Sequence, residues 1–592
     1  MPCETSSTHV CAEDVNCPPD RLSQTKEDTN NTMGSDSNYW AIWQKRVSRR
    51  SVLRGAGAAL GTLTISGMLG CGPASVAKQT SAAVGTTPSA AIPKRGGTLN
   101  LAAPSQFSNL NPHTGGSGSN TYVYDHLVNI DDRSGETELA LAESLEMPDP
   151  LTYVFKIKPN ARFQNIPPVN GRPVTSEDIA ASWQDMVADP RTGNKGVFVD
   201  FVDHYETPDP STFVVKLKEP NAWLISYNGL IAPFPSVVIP KELIEKKLKD
   251  TVAIGPGAYV LEQFDPASVI SFKRRPDAWW TAERPYVDRI VQRVITDPAA
   301  RAAAFKAKQI DVISARDKVE AEELKSYSPD VVVYKQLGTP YVLYLRADNN
   351  GPFRDVRVRE AVYSALDIKE FIDRAELGEG EISGPVGPNL PLWALSADEV
   401  KKYFPHDVRK AKQLLEAVGW DNSREFELKY PNQPKYALLS EILRNQLAAV
   451  GIKTKLVPQD LNTVWQPQTM VNGNFQISVG PVPLGYNDAN MALRNFTSRG
   501  VGWGNLAGWS DLEVDEIVGR QMREFNEAKR KEIVLDAQRL ILKKYAPFVS
   551  LYSAYSFTAH WSYYHPDELR GTLSRNGHYR WLDEEARAAM LR

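Results

Sequence analysis

The chain has 592 residues, a net charge of −3, and a nearly even mixture of 68 basic and 71 acidic side chains. Such a balance gives no basic surface for nucleic acid, so we expect no nucleic-acid partner. All four cysteines, at positions 3, 11, 17 and 71, lie near the start, so residues 72–592 contain no thiol for disulfides, metal sites or catalysis.

Residues 48–71 are predicted to be an export signal. Arg49 and Arg50 precede an uncharged run rich in Ala, Gly and Leu that is too short to span a bilayer. The paired arginines resemble a twin-arginine signal, which directs already folded proteins to export. Residues 68–71 resemble a lipobox, so we expect Cys71 to carry lipid that anchors the protein to a membrane. The alternative is a basic patch beside a buried helix.

The segments on either side of this signal lack hydrophobic periodicity. We interpret residues 1–47 as a disordered extension or as the result of a start codon placed too early, with Met33 as the alternative first residue. Residues 72–95 are rich in Ala, Ser, Thr and Pro, a composition typical of a flexible tether. The globular part is therefore predicted to begin near residue 96.

The first half of the globular part favours strands. Residues 97–102 predict a strand and residues 122–128 are compatible with a helix. Two later stretches resemble one another, and in each a Pro-Asp-Pro turn precedes alternating apolar and polar residues: PDPLTYVFKIKP at 148–159 and PDPSTFVVKLKEP at 208–220. This alternation predicts two strands with one buried face each, as neighbours in one sheet.

Helix signals are stronger further along the chain, although strands are also expected at residues 290–295, 331–334 and 341–345. Thr175 is a predicted cap for a helix that continues to about Met186. Asp407 is the predicted cap of another helix, and Ser510 with Glu513 forms a predicted capping box. Mixed strands and helices throughout indicate α/β lobes.

Motifs for catalysis are scarce. The chain contains no GxxxxGK[ST] loop, no GxGxxG after a predicted strand, and eight dispersed histidines. We therefore predict no catalytic residue, no metal site and no cofactor. Tryptophans such as Trp465 and Trp503 lie in segments that suit ligand pockets, and the alternative for each is a place in the core.

Eight short motifs occur in a fixed order along the globular part. They are GTL at 97–99, YVFKIKPNARF at 153–163, VTSEDI at 174–179, GPGAY at 255–259, RPDAWW at 275–280, FRDVRVREA at 353–361, KAKQLL at 410–415 and GWSD at 508–511. Together they resemble the family 5 extracellular solute-binding proteins of ABC importers, the peptide and nickel group.

The resemblance implies an α/β, two-lobed periplasmic-binding-protein-like fold of the large peptide-binding type, with two crossing hinge segments. It places lobe I at about 96–340 and a subdomain inserted in it at about 137–253. Lobe II is expected at 341–547, with a return to lobe I at 548–592.

The implied function is that of a monomeric extracytoplasmic receptor, not an enzyme, held at the periplasmic or cell surface. It would bind an oligopeptide or dipeptide by lobe closure and present it to an ABC permease driven by separate ATPase subunits. Alternatives are a non-peptide solute (an opine, an oligosaccharide or a nickel chelate), a sensing or chaperone role, and an exported hydrolase.

The resemblance also implies ligand-binding residues, including Tyr486 and Asn487. In peptide-binding relatives, an aspartate that pairs with the free amine of the peptide aligns with Gly485. Either Asp488 has taken this role, or the solute is not an ordinary free-ended peptide. Trp465 matches a tryptophan that lines the pocket of the family, Trp503 is a further aromatic candidate, and Tyr552 lies in the second crossing segment.

Overall fold

The computed structural model of the protein describes most of the chain beyond the predicted signal. The described residues are 92–114, 122–130, 137–192, 195–224, 236–277, 284–348, 351–482, 488–499, 505–566 and 580–591. The predicted extension at 1–47, the predicted signal at 48–71 and most of the predicted tether lie outside these residues.

Strands are distributed along the whole described chain. They are β1 Thr98–Ala103, β2 Val128–Ile130, β3 Thr137–Leu139, β4 Ala142–Asp149, β5 Thr152–Ile157, β6 Val202–Asp209, β7 Thr212–Leu217, β8 Tyr259–Asp265, β9 Val269–Arg274, β10 Arg289–Val294, β11 Val312–Ala315, β12 Val331–Leu345, β13 Gly380–Ile382, β14 Glu425–Pro431, β15 Lys453–Gln459, β16 Ile477–Pro481, β17 Phe548–Trp561, β18 Tyr564–His565 and β19 Trp581–Leu582.

The α-helices lie between and after these strands. They are α1 Ser176–Ala188, α2 Gly196–Phe201, α3 Lys241–Glu245, α4 Pro298–Lys306, α5 Lys318–Tyr327, α6 Val356–Ala365, α7 Ile368–Glu376, α8 Ala397–Lys401, α9 Val408–Ala417, α10 Pro434–Ala449, α11 Ala489–Arg494, α12 Leu512–Arg523, α13 Glu527–Lys543 and α14 Glu584–Leu591. A 3₁₀ turn at Pro112–Thr114 and a π-helical segment at Leu461–Val471 complete the set.

Two long antiparallel strands connect the two halves of the molecule. β12 pairs with β17 from Val331 opposite Trp561 to Tyr344 opposite Phe548. The seven-stranded sheet around them has the order β11-β17-β12-β16-β14-β15, with β13 paired to β17. β11 extends one end of this pair, whereas β16 extends the other. The α/β, two-lobed architecture implied by the family resemblance is confirmed.

The two Pro-Asp-Pro stretches lie in one four-stranded sheet with the order β4-β5-β7-β6. Their strands are antiparallel neighbours, with Phe155 opposite Phe213, as predicted. Each turn closes a hairpin in which an aspartate accepts a hydrogen bond from the backbone two residues ahead. Asp149 Oδ1 lies 2.8 Å from the Leu151 nitrogen, and Asp209 Oδ1 lies 2.8 Å from the Ser211 nitrogen. The strands preceding the turns, β4 and β6, were not predicted.

A second four-stranded sheet, β1-β10-β9-β8, forms the other part of the first half. The turn before β8 lies so close to a neighbouring loop that only glycine fits. The Gly257 nitrogen donates to the Val123 carbonyl oxygen at 2.7 Å. A Cβ on Gly257 would lie 2.5 Å from the carbonyl carbon of Val123.

In the second half, apolar helices cover both faces of the sheet. Leu343 and Leu345 of β12 belong to one buried cluster with α6, α7, α9 and α10. Val342 and Tyr344 point the other way and belong to a second cluster, which includes the π-helical segment and α11. Because successive side chains of a strand alternate between faces, β12 contributes to both cores.

Several local predictions need correction. Residues 122–128 are not helical; they form a turn and an extended segment that enters β2. The strands predicted at 331–334 and 341–345 are one strand, β12, because its bulges accommodate the Gly338–Pro340 segment without ending the pairing. The cap of α12 is Asp511 rather than Ser510, with Asp511 Oδ1 3.1 Å from the Glu513 nitrogen. The caps of α1 and α9 are Thr175 and Asp407, as predicted.

A buried carboxyl in the first half makes stability depend on pH. Asp125 is 2% exposed, and burial raises its pKa to about 7, although the backbone N–H of His126 donates to it at 2.8 Å. Between about pH 4 and pH 7 the folded protein retains this proton while the unfolded chain releases it. Its contribution to the free energy of unfolding therefore falls as pH rises through this window.

We expect Asp125→Asn to remove this pH-dependent loss of stability, because the amide has no charge to bury. Relative to the natural protein, the variant should gain roughly 3–4 kcal/mol of stability between pH 4 and pH 7. Denaturant unfolding at a series of pH values measures the difference. Asp421→Asn is the control, since hydrogen bonds from Ser423 lower the pKa of that exposed carboxyl. An equal pH slope in Asp125→Asn and the natural protein would contradict this account.

Candidate ligand-binding site

The carboxyl ends of three parallel strands lie at one edge of the seven-stranded sheet. β14 pairs in parallel with both β15 and β16, so the strands end together at Pro431, Gln459 and Pro481. Tyr341, on the antiparallel strand β12, lies opposite Pro481 at the same edge. In open α/β sheets, ligands bind in the crevice outside the carboxyl ends of the strands. This edge, beside the crossing segments, is the candidate site.

A group of tyrosines lies at this edge. The ring centroid of Tyr341 is 5.8 Å from that of Tyr436 and 5.1 Å from that of Tyr552. The Tyr552 hydroxyl donates to Glu376 Oε1 at 2.8 Å, and Lys435 Nζ lies 2.6 Å from Glu376 Oε2. Burial, together with the nearby carboxylate, raises the pKa of Tyr552 far above its ordinary value, so its hydroxyl remains a donor. Tyr341, Tyr436 and Lys435 were not among the predicted site residues.

The predicted site residue Trp465 lies in the π-helical segment that follows β15, and it is completely buried. Its indole N–H donates to Ser478 Oγ at 3.0 Å, and that hydroxyl donates to the Lys429 carbonyl at 2.8 Å. The ring lies against Gly480, where an added Cβ would be 2.3 Å from Trp465 Cζ2. Trp465 thus supports the end of β16 from inside the core and exposes no surface in this structure.

The predicted site residue Asp488 is buried and already paired within the protein. It caps α11 by accepting from the Asn490 nitrogen at 2.7 Å, and its Oδ1 lies 3.0 Å from Arg530 Nη2. Arg530 also donates to Gln521 at 3.1 Å and lies 4.8 Å above the ring of Trp393. A cationic solute group would therefore have to compete with Arg530 for this carboxylate.

The other predicted site residues lie outside the described residues. These are Gly485, Tyr486, Asn487 and Trp503, together with Arg49, Arg50 and Cys71 of the predicted export signal. Among the described residues, no group of three or more His, Cys, Asp or Glu side chains could hold a metal ion.

The first half contains a Ser-His-Asp arrangement that sequence spacing did not indicate. His113 Nε2 lies 3.4 Å from Ser182 Oγ, and His113 Nδ1 lies 3.5 Å from Asp185 Oδ2. A triad nucleophile needs an accessible hydroxyl whose proton the histidine can accept. Ser182 has no exposed surface; its hydroxyl donates to the Val237 carbonyl at 2.9 Å and accepts from the Ile239 nitrogen at 3.0 Å. This arrangement holds the core together and offers no nucleophile.

Comparison with known proteins connects this fold to one family. A family model described as bacterial extracellular solute-binding proteins, family 5 Middle, matches residues 136–503. A putative ABC transporter peptide-binding protein of Brucella ovis is 28% identical over 371 residues, which are 60% of this chain and 66% of the relative. Heme-binding protein A of Haemophilus influenzae is 24% identical over 74% of this chain and 83% of the relative.

A solved structure has the same fold. The periplasmic binding protein DppA of Helicobacter pylori, in complex with the peptide STSA, superposes with a TM-score of 0.68 at 21% identity. The superposition covers 83% of this chain and 99% of that protein.

We expect Asp488→Asn to destabilise the fold, because it removes the charge that compensates the buried Arg530. Loss of one partner of a buried pair costs about 3 kcal/mol in the free energy of unfolding. Denaturant unfolding measures this loss. Asp511→Asn provides the matched control, because Asp511 also caps a helix and pairs with a lysine but is more exposed. If Asp488→Asn were no more destabilising than this control, the pairing with Arg530 would not explain the burial of Asp488.

Proposed function

We propose that this chain, which belongs to the bacterial extracellular solute-binding proteins of family 5, is the receptor of an ABC import system. It binds a solute between two lobes and presents the closed complex to a membrane permease. The observation that carries this proposal is the match over residues 136–503 in a chain whose halves are connected by β12 and β17. The energy for transport comes from a separate ATPase, since the chain has no phosphate-binding loop.

The two crossing strands supply the hinge. Their pairing shifts register between Leu337 and Pro340, and again between Tyr341 and Val342. Bulges of this kind bend a strand without separating it from its partner, as a hinge requires. This supports a division into lobe I at 96–340, with the insertion at about 137–253, lobe II at 341–547, and a return at 548–592.

Peptides are the solute class that we propose. Relatives carry names that state peptide binding, whereas another is named for heme. At the carboxyl edge of the sheet, the half-buried Tyr341 can contact a peptide chain through its ring, whereas Tyr552 is completely buried and supports that ring from behind. Because Arg530 neutralises Asp488, we infer that a peptide amine is not held by Asp488. We therefore propose, as solutes, peptides whose amine is blocked or is bound by a group other than Asp488.

The protein acts outside the cytoplasm. We propose that Arg49 and Arg50 direct export, that Cys71 carries the lipid anchor, and that the mature protein works as a monomer at the membrane surface. Among the described residues, no helix combines the length and apolar composition needed to cross a bilayer.

Native mass spectrometry of protein purified without denaturation tests the solute class. We expect an additional mass that is released on unfolding and fragments as short peptides, because a closed receptor retains its solute. Calorimetry with trialanine and with N-acetyl-trialanine then measures affinity, and equal affinity is expected if the amine is not recognised. Binding of neither peptide, together with a non-peptide adduct, would reject peptides. Steady conversion of either peptide by the repurified protein would reject the receptor role.

Substitution of the predicted lipidated residue tests the anchor. We expect Cys71→Ser to move the exported protein from the membrane fraction to the soluble fraction, because no acyl chain is then attached. Cell fractionation followed by immunoblotting measures the shift. Cys17→Ser is the control and should leave the distribution unchanged. A membrane-bound Cys71→Ser protein would contradict the lipid anchor.

A further inference from the structure

Two segments that are distant in sequence form a contact away from the crossing strands, which we name the clasp. One side is residues 195–224, which include α2, and the other is α11, residues 495–499 and α12. Asp200 Oδ2 lies 2.8 Å from Arg494 Nη2, and Asp200 Oδ1 lies 3.2 Å from Arg499 Nη2. The Ala222 nitrogen donates to the Met522 carbonyl at 2.8 Å. In the proposed division, the clasp joins lobe I to lobe II.

Among the residues that the structure describes, the clasp contains four buried hydrogen-bond donors that have no protein acceptor. These four atoms are Asn221 Nδ2, Trp223 Nε1, Asn490 Nδ2 and Arg494 Nη1. Each belongs to a side chain that is more than nine-tenths buried. Buried donors are nearly always paired in native proteins, so four in one contact is an unusual concentration.

Contacts with one aromatic ring connect two of the side chains that carry these donors. The guanidinium of Arg494 is 5.1 Å above the ring of Phe201, and that ring is 5.8 Å from the ring of Trp223. Asn490 and Arg494 are four residues apart and therefore share one face of α11. Asn490 Oδ1 accepts from Gln521 Nε2 at 2.5 Å. Gln521 directly precedes Met522, so this bond places Asn490 near the hydrogen bond between Ala222 and Met522.

The charged side chains of the clasp make a second unfavourable contribution to the contact. Asp200 is shared by two arginines, and Glu219 is the further acidic group that acts on Arg494. Burial lowers the pKa of Arg494, whereas Asp200 opposes this shift. Desolvation of the guanidinium is thus incompletely compensated in this contact. When the contact opens, water can pair with all four donors, so opening restores the hydrogen bonds to water that closing removes.

We propose that the clasp is a closure device whose unpaired donors keep the closed state weak, so that the receptor without solute reopens. Asp200 and Arg494 hold the lobes together, and the solute supplies the additional binding free energy that lasting closure needs. This inference rests on the proposed receptor function and adds to it the residues that set the open and closed populations. None of these residues has to touch the solute.

Hydrogen exchange of the full chain without any solute tests the clasp. The probe is the Ala222 amide, which is protected only while it is bonded to Met522. Its rate is followed by mass spectrometry and divided by the rate of the β14 segment Glu425–Pro431, which corrects for global unfolding. Since no solute is added, a failure here is distinct from a failure of the proposed peptide binding.

Two substitutions should act in opposite directions. Asp200→Asn removes the negative charge that both arginines share and one of its two acceptor oxygens, so it should accelerate exchange at Ala222 by about tenfold. Asn490→Asp keeps the acceptor for Gln521 and gives Arg494 an acidic partner one turn away. It should therefore slow exchange at Ala222 at least about twofold.

Asp203→Asn is the matched control, because Asp203 is an exposed acid close to Asp200 that pairs with His204 rather than with α11 or α12. Its exchange ratio should equal that of the natural protein. The proposal is overturned if Asp200→Asn leaves the ratio unchanged, or if Asn490→Asp leaves it unchanged or raises it.

Discussion

The antiparallel pairing of β12 with β17 is the constraint on which the rest of the structure depends. β12 is 15 residues long and β17 is 14; both extend through the two halves, and each half builds its own layers against a different end of the pair. Because the pairing continues through the bulges near Pro340, the halves can change their relative orientation while remaining joined by backbone hydrogen bonds. A hinge of this form suits a receptor that closes on a solute.

The second recurring feature is that charged groups near the candidate site are neutralised within the protein. Arg530 pairs with Asp488, and Lys435 pairs with Glu376 at the carboxyl edge of the sheet. A solute charge gains little from a carboxylate that already has a partner, since that partner must first be displaced. In the proposed receptor, recognition would therefore rely less on these charged groups than on uncharged side chains such as Tyr341. The clasp is the exception, because its donors exceed its acceptors.

The candidate site could be predicted only in part. Tyr552 was selected from its place in a crossing segment; it lies beside the carboxyl edge of the sheet but is completely buried, and its role in binding stays a prediction. Its neighbours Tyr341 and Tyr436 were missed, because sequence offers no sign that a residue of β12 meets the start of α10. The Ser182, His113 and Asp185 arrangement was missed for the same reason, since His113 is 69 residues from Ser182. Such groups come together only when elements pack.

The sequence by itself determined what short-range physics controls. The Pro-Asp-Pro turns form hairpins because an aspartate oxygen reaches the backbone two residues ahead, and Thr175 and Asp407 cap their helices in the same local way. Only the tertiary structure decided the state of the buried polar groups. From the sequence alone, Asp488 could be assigned to a solute amine. Only the fold places Arg530, 42 residues further along the chain, beside this carboxylate. The reason is that the charge of a buried carboxylate must be compensated by whatever lies nearest in space, and sequence order does not specify that neighbour.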